Sequence, residues 1–288
     1  MFDYDAERLR AVILQLTRSN ISDEARLWFN DKLSLTEISA INTSFSLIPR
    51  KTGKAVIAVS PSDEDLLMQI KPGFSVHGWT ADMLCRLCLI MHLDPSDKDK
   101  YFKTIENLFL SAEMTELVAL YSSLPLLAYP NLWVLRCAEG IRSNIGSVLE
   151  AIMYQNPYPA EHLEEKAWNQ MILKALFTGK DVNQIYHLDE RSNLELAMTL
   201  SDYAHERWAA ERRVNPLLWR LTANFVNDRI LNDLKKVLAE GDLAERQAAA
   251  LAVSGSSSES AKKLLNGYKD LSSAIERGEL NWESLRSE

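Results

Sequence analysis

The stretch 193–213 concentrates groups that could move protons. His205 stands between Asp202 and Glu206, with Glu195 further back. On a helix, Glu195, Asp202 and Glu206 fall at i, i+7 and i+11, an acidic stripe beside a seam of Leu194, Met198, Ser201, His205 and Trp208. A carboxylate next to an imidazole is the raw material of general acid–base chemistry. Carboxylates four residues apart also repel, so Asp202 and Glu206 require an arginine, a lysine or a cation nearby. The plainer alternative is a solvated helix flank, served by Arg212 and Arg213. Lys174, beside Gln170 in the stretch 163–177, is the other catalytic candidate. A lysine against apolar surface can have its pKa lowered and act as a base or anion contact; its stem can equally cover the core while the ammonium reaches water.

Cys85, Cys88 and His92 share one helical face and are zinc-ligand types. A fourth ligand and a second CxxC are missing, and their helix is apolar nearly all round, so we read them as core residues and expect no metal and no cofactor. Lys51-Thr52-Gly53-Lys54 lacks the first glycine of a phosphate loop, Ile48 standing in its place, and is rejected as one. No GxSxG, HExxH or dinucleotide glycine fingerprint is present.

The elements that must hold these groups are helical. Three successive amphipathic stretches each place a polar residue on the face that should be dry: Asn144 in 132–152, Asn169 in 163–177 and His205 in 193–213. An unpartnered buried polar group costs about 1–3 kcal/mol, so such residues imply a hydrogen-bond network or the lining of a polar cavity. Further helices are predicted over 4–17, 22–32, 63–70, 80–93, 97–110, 113–122, 216–227, 228–240, 243–253, 258–268 and 271–277, with 80–93 central and buried. The segment 42–62, with Pro49, Gly53 and Pro61, reads as a long surface loop with an extended piece. Asn156-Pro157-Tyr158-Pro159 is a rigid stop between helices. The expected fold is all-α, an irregular α-solenoid-like (HEAT-like) stack of helical hairpins forming a single domain over 1–288, with a helical repeat part at 228–288.

Composition narrows the function. The 288 residues carry a formal net charge of −8, which argues against a general nucleic-acid binder. No apolar run is long enough for a membrane span, and the acidic N-terminus lacks the pattern of a signal peptide, so the expected location is the cytoplasm, with three reduced cysteines.

Three blocks carry a family resemblance: LVALYSSLPLLAYPNLWVLRCAEGIRSN, EAIMYQNPYPAEHLEEKAWNQMILKALFTGK and LDERSNLELAMTLSDYAHERWAAERRVNPLLWR, together covering about 117–220. They closely resemble the EboA family, and the tail with its final Gly-Glu-Leu-Asn-Trp is similar as well. The first hundred residues resemble it loosely. The resemblance implies a bacterial gene cluster that also encodes a UbiA-like prenyltransferase, a dehydroquinate-synthase-like enzyme, a sugar-isomerase-like barrel and a TatD-like hydrolase, and that makes or exports a secondary metabolite. It implies a pathway and no defined reaction. The family-like polar and aromatic positions are Glu139, Arg142, Asn144, Asn156, Tyr158, Trp168, Asn169, Lys174, Arg191, Asn193, Asp202, Tyr203, His205, Glu206, Arg207, Trp208 and Arg220. Of these, Arg142, Asn144, Asn156, Tyr158, Trp168, Asn169, Lys174, Arg191, Asn193, Asp202, His205 and Arg207 are the candidate ligand-binding set. Three readings stand. The leading one is a binding or scaffold protein whose helical groove takes a polar metabolite or other Ebo pathway enzymes. The second is an enzyme with His205 and Asp202 or Glu206 as acid–base groups, and Lys174 or Arg142 on an anion. The third is a structural network of Asn144, Asn169 and His205.

Overall fold

A computed structural model of the chain describes residues 1–285. Every regular element among them is helical, apart from an isolated antiparallel bridge between Val56 and Thr80, and no described helix is long and apolar enough to cross a membrane. Two compact units divide the chain, Met1–Leu163 and Glu164–Glu288.

The first unit contains α1 (Ala6–Ser19), α2 (Asp23–Asn30), α3 (Ile38–Thr52), α4 (Pro61–Ile70), α5 (Ala81–Met91), α6 (Lys98–Ser111), α7 (Met114–Ser122), α8 (Val134–Arg142), α9 (Gly146–Met153) and α10 (Tyr158–His162). Starts follow capping chemistry: Asp5, Ser22, Ser60 and Asp97 each accept a first-turn backbone N–H, and Glu113 and Glu116 form a reciprocal capping box on α7. Helix α5 is the axis of the unit, buried almost throughout and packed on α1, α3 and α7. Its two charged residues are buried too. Arg86 Nη1 lies 2.9 Å from Asp82 Oδ2 and Nη2 lies 3.6 Å from Glu116 Oε1.

The second unit contains α11 (Glu165–Phe177), α12 (Leu194–Ala209), α13 (Asp228–Glu240), α14 (Leu243–Gly255), α15 (Glu259–Lys262) and α16 (Lys269–Glu276), with a run of 3-10 turns over Pro216–Phe225. Helix α14 packs on both that run and α13. Its buried stretch is rich in alanine (Ala248, Ala249, Ala250 and Ala252), which lets neighbouring backbones approach closely.

Three expectations are corrected. The segment 42–62 is helical as far as Thr52, because the cost of Pro49 is largely removed. A proline in a helix frees the carbonyl four residues back; here that carbonyl, Phe45 O, accepts from Arg86 Nε at 3.3 Å. Gly53, at φ 79°, then ends α3 in the left-handed region. The extended piece exists: Ile57 N donates to Trp79 O and Ala81 N to Ala55 O, both at 2.9 Å. Second, 132–152 is not one helix. Ser143 leaves helical geometry (ψ 149°) and its hydroxyl accepts from Ile145 N at 3.1 Å, a local side-chain bond that competes with the helix ladder. Third, Pro216–Phe225 takes 3-10 rather than α geometry, its N-terminus capped by Asn215.

Candidate functional site

In the second unit, α12 and α13 bring together a buried carboxylate and an exposed imidazole. Ser201 and His205 lie one turn apart on α12, and both meet Asp233 on α13. Asp233 is 4% exposed; one oxygen accepts from Ser201 Oγ at 2.6 Å, and the other lies 2.6 Å from His205 Nε2. With a carboxylate as its partner, Nε2 is the donor of this contact, and Nδ1 of the half-exposed ring stays outside it. The His205 ring lies 5.4 Å from Trp208, which stacks on Trp219 at 6.0 Å and has Lys236 Nζ above it at 5.5 Å. Trp208, Lys236, Arg212 and Arg213 line a cavity of about 290 Å³; a second of about 340 Å³ is lined by Phe177, Tyr203, Arg207, Arg213 and Asn215. His205 lines neither and borders the first through Trp208.

The carboxylate that serves His205 is therefore neither Asp202 nor Glu206. Asp202 is exposed and paired with Arg229, and Glu206 is exposed on the same flank. Sequence reasoning missed Asp233, although a signal existed. It sits on the apolar face of Ile230, Leu234 and Val237, the same pattern that singled out Asn169. Glu195 is exposed and Lys174 half-buried.

Asn169 is 5% exposed, as its helical face required. Its amide exchanges hydrogen bonds with Asn193 at 3.2 and 2.8 Å, and Asn193 Oδ1 caps α12 by accepting from Leu196 N at 2.9 Å. His205 lies twelve positions along that helix, about 18 Å away at the helical rise, so it shares no partner with Asn169. Arg191 covers the buried Trp168 ring, its guanidinium carbon 4.8 Å from the centroid. Arg207 Nε donates to Arg213 O at 2.8 Å. Arg220 grips Asp189 through two hydrogen bonds of 2.8 and 2.6 Å and Asn183 at 2.7 Å, while Asn183 holds Trp282 O at 3.0 Å. The Gly-Glu-Leu-Asn-Trp tail is tied down by this cluster.

The remaining candidates belong to the first unit. Asn144 is exposed in the turn between α8 and α9, a correction to the dry-face placement that follows from the broken helix. Asn156, 3% exposed, is committed internally: its amide donates to Tyr121 O at 3.0 Å and Ala151 O at 2.9 Å, and its oxygen accepts from Tyr158 N at 3.1 Å. Tyr158 is buried and donates to Pro130 O at 2.6 Å. Glu139 pairs with Arg136 at 2.7 Å, whereas Arg142 is exposed and lines a cavity of about 400 Å³ with Tyr121.

Two further clusters bear on metal binding. His92 Nδ1 lies 2.7 Å from Cys88 O, so that nitrogen is committed to its own helix, and burial raises the thiols of Cys85 and Cys88, the latter to about 12. Asp3, Glu161 and His162 bring ligand atoms within 4.8 Å of one another, but the buried ammonium of Lys71 already serves those carboxylates, at 2.8 Å from Glu161 and 3.1 Å from Asp3. Burial holds both His92 and His162 below the ordinary value of 6.5. The unfolded chain therefore binds protons that the folded chain refuses. Their contribution is fully present above pH 6.5 and is lost as pH falls toward the folded-state values. Thermal melts between about pH 8 and pH 5 should show that decline, and His162→Gln should flatten it.

The described residues are all-helical apart from one isolated bridge, and their polar side chains mix internal locks with groups facing cavities. A family model described as "Metabolite traffic protein EboA" matches residues 9–223. The chain belongs to the EboA family. The match extends far ahead of the 117–220 blocks, includes Ser201 and His205, and ends before Asp233 and the tail. Neither the curated proteins nor the solved structures contain a match to the chain.

Proposed function

We propose that this chain is a binding component of a metabolite-traffic pathway and takes a polar small molecule on the α12–α13 face. The observation that carries this reading is the Ser201–Asp233–His205 arrangement. It fixes an imidazole with one nitrogen outward beside the Trp208 cavity. The outward nitrogen reads a hydrogen-bonding group of the ligand, the Trp208 ring offers a flat apolar contact, and Arg212 and Arg213 supply donors. Other Ebo pathway enzymes deliver or receive the molecule.

Asp233 also favours a second reading, an enzyme in which His205 takes up and returns a proton. A buried carboxylate behind imidazole stabilises the imidazolium that such a transfer creates. The pathway reconstituted with His205→Ala and with Asp233→Asn separates the two. A carrier should lose ligand retention in both variants while chemical conversion continues at the rate set by the other components. A proton-transfer enzyme should lose conversion by about a hundredfold or more. Unchanged retention and unchanged conversion would sink both readings.

A further inference from the structure

The cavity between α7 and α8 holds a second polar constellation, separate from the α12–α13 face. Tyr121 is 4% exposed and lines this cavity of about 400 Å³, yet its hydroxyl has no hydrogen-bond partner among the described residues. The ring is buried while the hydroxyl oxygen is open to the cavity, so its donor is left for whatever occupies that space. Gly140 explains how the ring is placed: a Cβ there would come within 2.6 Å of Tyr121 Cε1 and 2.5 Å of Ile152 Cδ1, so only glycine lets α8 lie against the phenol. Burial raises the phenol to about 12, and Glu139 adds to the shift, so near neutral pH it is a donor.

The charges around the cavity are unequal in their commitments. Arg136 is saturated, with Nε and Nη2 on Glu106 at 2.8 and 2.6 Å and Nη1 on Glu139 at 2.7 Å. That cluster holds Glu106 at both oxygens and Glu139, which also lines the cavity, at one. Arg142 lines the same cavity and has no carboxylate partner among the described residues. Two available donors, one cationic, thus face a space floored by Phe109, Leu117 and Val148.

From this arrangement we infer that the α7–α8 cavity is a carboxylate-binding site, in which the guanidinium of Arg142 and the hydroxyl of Tyr121 hold the oxyanion of a small molecule and its apolar body rests on Phe109, Leu117 and Val148. Arginine with a neutral donor suits a planar carboxylate, and the one carboxylate lining the cavity, Glu139, is paired with Arg136.

Calorimetric titration of the full chain with benzoate, and with benzylammonium as the charge-reversed control, tests this. Benzoate should bind and benzylammonium should not. Arg142→Ala should weaken benzoate by about tenfold or more, as loss of a charge-assisted hydrogen bond does. Tyr121→Phe, which keeps the ring and removes only the donor, should weaken it several-fold with an unchanged circular dichroism spectrum. Arg213→Ala, on the α12–α13 face, should leave it unchanged, so a failure here is distinct from a failure of the proposed function. Absence of benzoate binding, equal affinity in the wild type, Arg142→Ala and Tyr121→Phe, or loss confined to Arg213→Ala would each overturn the inference.

Discussion

Arg86→Leu is expected to destabilise the Met1–Leu163 unit by about 3–5 kcal/mol, the cost of breaking a buried ion pair from one side. The guanidinium is 1% exposed and serves Asp82, Glu116 and the Phe45 carbonyl at once. Its removal leaves two buried carboxylates without their cation, and leaves the carbonyl that Pro49 freed without a donor. The last turn of α3 should fray as a result. Urea unfolding, with hydrogen exchange over 45–53, measures both effects. The Asp82→Leu/Arg86→Leu double variant should lose less than the sum of the two single changes, because removing both members spares an orphaned charge. An effect of Arg86→Leu below about 1 kcal/mol, the range of a surface pair, would show that Arg86 is not the electrostatic keystone of α5.

Asn156→Ala is expected to cost about 3 kcal/mol, since it orphans two carbonyls and one N–H in a dry setting. The three bonds of Asn156 fix the turn from α9 into α10 and tie it to the end of α7. Asn156→Asp should not rescue, because a carboxylate cannot donate to Tyr121 O or Ala151 O. If Asn156 is a lock and not a ligand contact, pathway output in the variant will fall in proportion to folded protein. Output falling to background while the protein remains folded would return Asn156 to the binding set.

Much of the architecture was legible because helical patterning is local. The stretch 80–93 is buried as its apolar run required, and 228–240 is helical over that whole range because its caps and its stripe agree. The places where local reading failed are those where a distant group decides. Pro49 looked like a helix breaker until Arg86, far along the chain, supplied the missing donor. Ser143 looked like an ordinary helical residue, yet its own hydroxyl turned the chain.

The candidate site divides in the same way. Asn169 lies on the dry face that periodicity gives it, but periodicity does not reveal that its partner is the cap of the next helix. For His205 the dry-face placement fails, since the ring is half-exposed, and its carboxylate was missed because pairing between α12 and α13 is tertiary information that a charge stripe on one helix cannot contain. Tyr121 drew no attention because its sequence neighbours are apolar; what distinguishes it is the glycine on the helix beside it.

The central claim is that the α12–α13 face holds a small molecule, and native mass spectrometry of the chain purified from a host expressing the whole gene cluster tests it most directly. A small molecule should be retained by the wild-type protein, lost in His205→Ala and retained in Asn144→Ala. A wild-type protein that emerges with no bound molecule, or one whose retained molecule is indifferent to His205, would contradict it.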